Sequence, residues 1–236
     1  GLIDASTLAD NAEIVLTGNT NLFMNVNKTL KCISGDYTLT ISGGNILTIN
    51  NPNGAGIEVK SLNSTAPLNI TARDNAIATT NAAGDVTING NLTAETTGDK
   101  YFCIVGKKVT LIGGTMKITS VTNAVVSYGN LNVTGNAVVT STDPLSVALN
   151  SRDGGHIVFG KGDYKITGAG YAVYAAGNIA FNTSLAILTP TNGKIYNHTI
   201  VDEGNNTATF VHIGYTPKVT QNVLSATNTV KYGEQL

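Results

Sequence analysis

The stretch Val109-Thr110-Leu111-Ile112-Gly113-Gly114-Thr115-Met116-Lys117-Ile118-Thr119 decides the fold. Apolar and polar side chains alternate on either side of a glycine pair, the pattern of two short half-buried strands joined by a sharp corner. Related pieces return along the chain: Leu39-Thr40-Ile41, Val86-Thr87-Ile88, Leu131-Asn132-Val133, Ile157-Val158-Phe159 and Ile179-Ala180-Phe181. Their starts at 86, 109, 131, 157 and 179 lie 22 to 26 residues apart, and the wider gap from 39 to 86 holds one more unit near Leu62. A repeat of this length signals a solenoid, because one unit cannot bury its apolar face alone and must stack on the next.

Each unit carries two further segments. A second alternating piece follows the first at 47–49, 68–70, 92–94, 116–118, 164–166 and 185–187, and a third follows a variable loop at 56–59, 76–79, 102–105, 124–127, 146–149 and 172–175. The expectation is an all-β, right-handed parallel β-helix with three short strands per coil, about 22 residues per coil and roughly eight coils. At about 4.8 Å per coil the column is on the order of 40 Å long. The first 30 residues are out of phase with the repeat, so residues 1–35 are expected to cap the column's N-terminal end. Thr207 to Ile213 reads as a last strand, and 215–236 as a tail or second cap; 1–214 is then a single solenoid domain.

Composition agrees. Apolar residues make up 42% and charged residues only 12% of 236, so Thr, Asn, Ser and Gly must cover the surface, and these favour strands and turns over helices. The formal charge is −1 and Lys107-Lys108 is the only adjacent cationic pair, so the phosphate-neutralising term of nucleic-acid binding is missing. No apolar run approaches the ~20 residues of a membrane-spanning helix. Cys32 and Cys103 stand far apart, outside any metal-ligand spacing, and read as small buried hydrophobes; neither metal nor cofactor is expected. The chain opens on Gly1-Leu2 rather than Met, which reads as a mature or trimmed start and fits export.

The segments at 39–44 (LTISGG), 109–119 (VTLIGGTMKIT) and 168–181 (GAGYAVYAAGNIAF) resemble coils of secreted bacterial β-helix proteins of the pectate-lyase-like superfold, of the carbohydrate-binding type. The resemblance covers roughly residues 12–200 and rests on repeat grammar. It implies an extracellular or cell-surface protein that binds or processes polysaccharide.

Enzymes of that superfold use clustered acids, with Ca²⁺ and an Arg or Lys base in the lyases. This chain has only Arg73 and Arg152, and its aspartates are scattered through turn contexts, so no catalytic residue is assigned. The strongest catalytic candidate is the loop Ser151-Arg152-Asp153-Gly154-Gly155-His156, which lengthens one coil, and it reads first as an inserted surface turn. His198 and His212 stand alone.

A binding role reads better. With Ile57, Ile77, Cys103, Val125, Val147 and Val173 pointing inward, Phe102, Ile104, Ala124, Val126, Ala148, Ala172 and Tyr174 point outward on the third strand, an unusually apolar face. The C-terminal segment, a second copy in a homodimer, or sugar rings would each cover it. Without Trp, stacking on sugar falls to tyrosines, so the candidate ligand contacts are Tyr101, Phe102, Ile104, Val126, Tyr128, Tyr171 and Tyr174. The expected function is a non-catalytic adhesion or polysaccharide-binding module. A polysaccharide lyase or hydrolase with an unrecognised site, and a spacer in a larger surface protein, are the alternatives.

Overall fold

The structure, a computed structural model, describes residues 1–216; most of the expected tail lies outside them. Parallel coils of about 23 residues stack into a β-solenoid of about eight turns. The three segments of each coil form three faces, and each strand pairs in register with its equivalent one coil away. On face one the inward ladder is Leu22, Ile41, Ser64, Ile88, Leu111, Val133, Phe159 and Phe181, with Leu39, Leu62, Val86, Val109, Leu131 and Ile157 beside it. Leu62 occupies the coil inferred from the wide gap in the repeat. On face two Leu30, Ile49, Ile70, Ala94, Ile118, Val139 and Ile166 align in the same way. These side chains meet in one core that runs the length of the column.

Several corners are turned inside one continuous strand: Cys32–Ser42, Ile57–Ser64, Lys108–Ser120 and Leu131–Ser141 each serve two faces. The register breaks at the bend between Ile112 and Thr115, where Gly113 and Gly114 take φ of +74° and +63° that a Cβ would oppose. Asparagine stitches coil to coil. The Oδ1 atoms of Asn27, Asn75, Asn91, Asn123, Asn130 and Asn136 accept the backbone N–H of Ile46, Phe102, Thr115, Val147, His156 and Asp163 in the next coil at 2.7 to 3.1 Å. Corner amides that no strand can pair are thereby satisfied.

The residues expected as an N-terminal cap carry coil strands themselves: Leu2–Asp4, Glu13–Val15, Thr20–Phe23 and Lys28–Leu30 all pair in parallel with the next coil. The other end closes differently. Thr199–Val201 pairs antiparallel with the last face-three strand at Tyr174, and Phe210–Tyr215 lies antiparallel between Tyr164–Gly168 and Leu185–Thr189 on face two. Val211 and Ile213 of that strand are fully buried, and His212 Nε2 meets Asp163 Oδ2 at 2.8 Å.

Candidate functional site

Face three is built on a column of small residues, Gly56, Ala76, Cys103, Ala124, Ala148 and Ala172, each just before the inward residue of its strand. A Cβ on Gly56 would run into the Ala76 carbonyl, so size at this bend is restricted. The inward ladder that follows is Ile57, Ile77, Ile104, Val125, Leu149 and Val173. This corrects the expected orientation: Ile104, not Cys103, takes the inward place, and Leu149 does so instead of Val147. Ile104 is 0% exposed in the main core and contacts no ligand from outside; Ala124, Ala148 and Ala172 are core residues too. Two adjacent apolar residues are both buried at this bend, which hides the one-residue slip that inverts a strand's faces.

The outward ladder is Glu58, Ala78, Val105, Val126, Asn150 and Tyr174. Ala78, Val105 and Val126 are 3%, 6% and 0% exposed, although they face away from the core. Ala82, Phe102 and Tyr128 pack over them, and the Arg152 guanidinium lies 5.3 Å from the Phe102 ring centre and 5.4 Å from that of Tyr128. Arg152 Nη1 also donates to Tyr128 Oη at 3.2 Å. The apolar face is thus sheltered by side chains of its own loops, an arrangement not among the three covers considered. Among the described residues the C-terminal region reaches this face only at its last rung, where Thr199–Val201 pairs at Tyr174; the expected cover by the tail at 215–236 lies almost wholly outside the described residues.

Beside this cluster a cleft of about 260 Å³ opens on the outer face. Ala78 and Val105 line it together with Tyr101 and Phe102, and Glu58, Asn75, Asn81 and Lys100 contribute polar groups. Asn75 Oδ1 holds the Phe102 amide at 3.0 Å, and the Tyr101 carbonyl accepts the Thr122 hydroxyl, so both aromatic residues are tied at the backbone. Asn81 and Ala82 hold the opposite lip in left-handed conformations, φ +53° at each. Further along the face, Tyr171 and Tyr174 meet edge to face at 6.3 Å, and Tyr174 lies 6.0 Å from the ring of His198. The expected contacts therefore divide: Tyr101 and Phe102 in the cleft, Val126 beneath Tyr128, Tyr171 and Tyr174 near the column's end, and Ile104 inside.

The loop 151–156 is held by its own turn and by contacts to neighbouring coils. Ser151 Oγ donates to the Gly129 carbonyl at 2.6 Å, Asp153 and Gly154 turn through φ of +50° and +76°, and Arg152 serves the aromatic cover. His156 Nδ1 accepts the Asn178 amide at 2.8 Å, which places the ring hydrogen on Nε2 and makes the imidazole a link between coils. A groove of about 500 Å³ at this corner gathers Asp85, Lys107, Lys108, Asp153 and His156. Its floor is kept low by Gly129 and Gly155, since a Cβ on Gly155 would strike the Gly129 carbonyl. Among the described residues no three His, Cys, Asp or Glu side chains converge as metal ligands. His198 donates from Nδ1 to the carbonyls of Ala175 and Gly177, at 2.9 and 3.1 Å.

Val105 and Asn150 are not singled out from the sequence, and Arg152 is, but as part of the loop 151–156 rather than as a cover for aromatic rings. The signal for Arg152 is its spacing from Tyr128: each directly follows the serine that ends its face-three strand, Ser127 and Ser151, which pair across neighbouring coils. No helix in the described residues is long and apolar enough to cross a membrane. No protein-family model, curated protein or solved structure matches the chain, and what the structure shows is the β-solenoid itself.

Proposed function

We propose that this chain is a non-catalytic glycan-binding module of an exported or cell-surface protein, with a sugar ring seated in the face-three cleft between Tyr101 and Phe102. The observation that carries this reading is the composition of the cleft. An apolar floor of Ala78 and Val105 and two aromatic rings offer the flat surface a pyranose packs on, while Glu58, Asn75, Asn81 and Lys100 supply donors and acceptors for its hydroxyls. The imidazole that would supply a base in the neighbouring groove is committed to backbone, which supports binding without turnover.

The test is retention of the purified protein on immobilised plant, host and bacterial polysaccharides, with Tyr101→Ala and Phe102→Ala beside it. Removing one stacking ring is expected to weaken retention about fivefold, from an aromatic contribution of ~1 kcal/mol. Retention that survives both substitutions places the glycan elsewhere. Release of oligosaccharide products makes the protein an enzyme, and a dimer that dissociates on Phe102→Asp makes this face a self-association surface.

A further inference from the structure

Asn150 is the anomaly on face three. It is 7% exposed, its Oδ1 is shut away from solvent, and that oxygen has no hydrogen-bond partner among the described residues. Corner asparagines pass their Oδ1 to a backbone amide of the next coil, as Asn123 does to Val147 and Asn130 to His156. Asn150 lies within a strand whose amides are already paired across the coils, so that outlet is closed to it. It points outward, between Val126 on one neighbouring coil and Tyr174 on the other. A buried acceptor without a donor costs stability that a Leu or Val at the same place would not, and such strain gathers at sites that use it.

We propose that Asn150 is a second saccharide contact: its Oδ1 accepts a hydroxyl from a ring packed on Tyr174, while another ring of the same chain occupies the Tyr101–Phe102 cleft. This rests on the glycan reading above and adds the ligand class, a short oligosaccharide extended along the column axis rather than a single sugar. The geometry comes from the register. Val105, on the cleft floor, is followed by Val126, Asn150 and Tyr174 on successive coils, so Asn150 lies two rungs, about 10 Å, from the cleft. A lone ring in the cleft does not span that distance and a linear oligomer does. The oxygen is closed off in the free protein, so the ligand displaces a side chain as it arrives. Tyr128 and Arg152, joined at their tips by one hydrogen bond, and Tyr174 are the half-buried groups on this part of the face that give way.

Asn150→Leu tests this with stability and binding moving in opposite directions. The substitution removes the orphaned acceptor at similar volume, so the variant is expected to melt above the unsubstituted protein. Titrated with disaccharides and pentasaccharides of β-1,4-linked glucose, mannose and N-acetylglucosamine, it is expected to keep its disaccharide affinity and to lose about tenfold for the pentasaccharide, the upper end for one hydrogen bond. Tyr174→Ala is the second variant, with the same split between short and long oligomers. Equal affinity for both lengths in the unsubstituted protein, or an Asn150→Leu variant that binds both lengths unchanged, overturns the second contact while leaving the cleft standing. No binding of any oligomer, or affinity untouched by Tyr101→Ala, overturns the cleft and with it this inference.

Discussion

The inner side of face three and the middle of its outer side are both buried, yet they are not the same kind of interior. Inside, Ile57, Ile77, Ile104, Val125, Leu149 and Val173 form an unbroken stack enclosed by the other two faces. Outside, the ladder changes from Glu58 through Ala78, Val105 and Val126 to Asn150 and Tyr174, and its shelter is four side chains, Ala82, Phe102, Tyr128 and Arg152. Ile104 and Val126 are both 0% exposed, so exposure alone does not separate them. The cover does. One is backbone-anchored sheet on every side, and the other is a set of rotatable groups that a ligand can rearrange.

The largest contrast this predicts is chemical. Burial pushes the Cys103 thiol up to about 12, from an ordinary value of 9.0, against weaker opposing hydrogen bonds from Thr96 and Thr119. Three pH units leave about a thousandth of the usual thiolate at neutral pH, and the enclosing sheets bar the reagent besides. Iodoacetamide is therefore expected to label the half-buried Cys32 in the folded protein, slowly because burial raises that thiol too, and to reach Cys103 only after unfolding. Mass-spectrometric mapping decides it; labelling of both at one rate in the native protein would show that the inside at Cys103 is not closed to the reagent.

Truncation on the two sides comes next. Ile104→Ala leaves a cavity that enclosing sheets cannot collapse, with an expected loss of roughly 2–5 kcal/mol in denaturant unfolding. Val126→Ala removes two methyl groups beneath a cover that can settle inward, and the expected loss is about 1 kcal/mol. A Val126→Ala cost equal to that of Ile104→Ala would show that the outer cluster is as rigid as the core.

The same contrast marks what was legible beforehand. The coil length, three faces and parallel stacking follow from Leu39, Val86, Val109 and Leu131 and their neighbours, because period-2 alternation and a fixed spacing have one common solution. Orientation on face three failed at Cys103-Ile104, where both residues go inside and the pattern carries no alternation to read. The column of Gly56, Ala76, Ala124, Ala148 and Ala172 would have set the register there, since a small residue precedes the inward one in every coil. Phe210–Tyr215 alternates correctly, but alternation has no direction, so its antiparallel insertion between two earlier strands was invisible. Tyr101 and Phe102 were found as aromatic residues on a suspect face, whereas the cleft beside them depends on Asn75, Asn81 and Glu58 from other coils.

The smallest expected effect tests the cover itself. Among the described residues no carboxylate pairs with Arg152; it holds its place by lying over Phe102 and Tyr128 and by one hydrogen bond of 3.2 Å. A half-exposed cation over two rings contributes about 0.5–1 kcal/mol, so Arg152→Ala is expected to lower the unfolding midpoint only slightly. Arg152→Lys keeps the charge but not the flat guanidinium, which stacks on both rings at once, and is expected to recover only part of that loss. The informative readout is hydrogen exchange at Val105 and Val126, whose exchange is expected to quicken in Arg152→Ala while that of Val109 and Leu131 on face one stays as it was. Quickening on both faces would mean that Arg152 braces the whole column, and the outer side of face three would then be a second core rather than a lid over a binding surface.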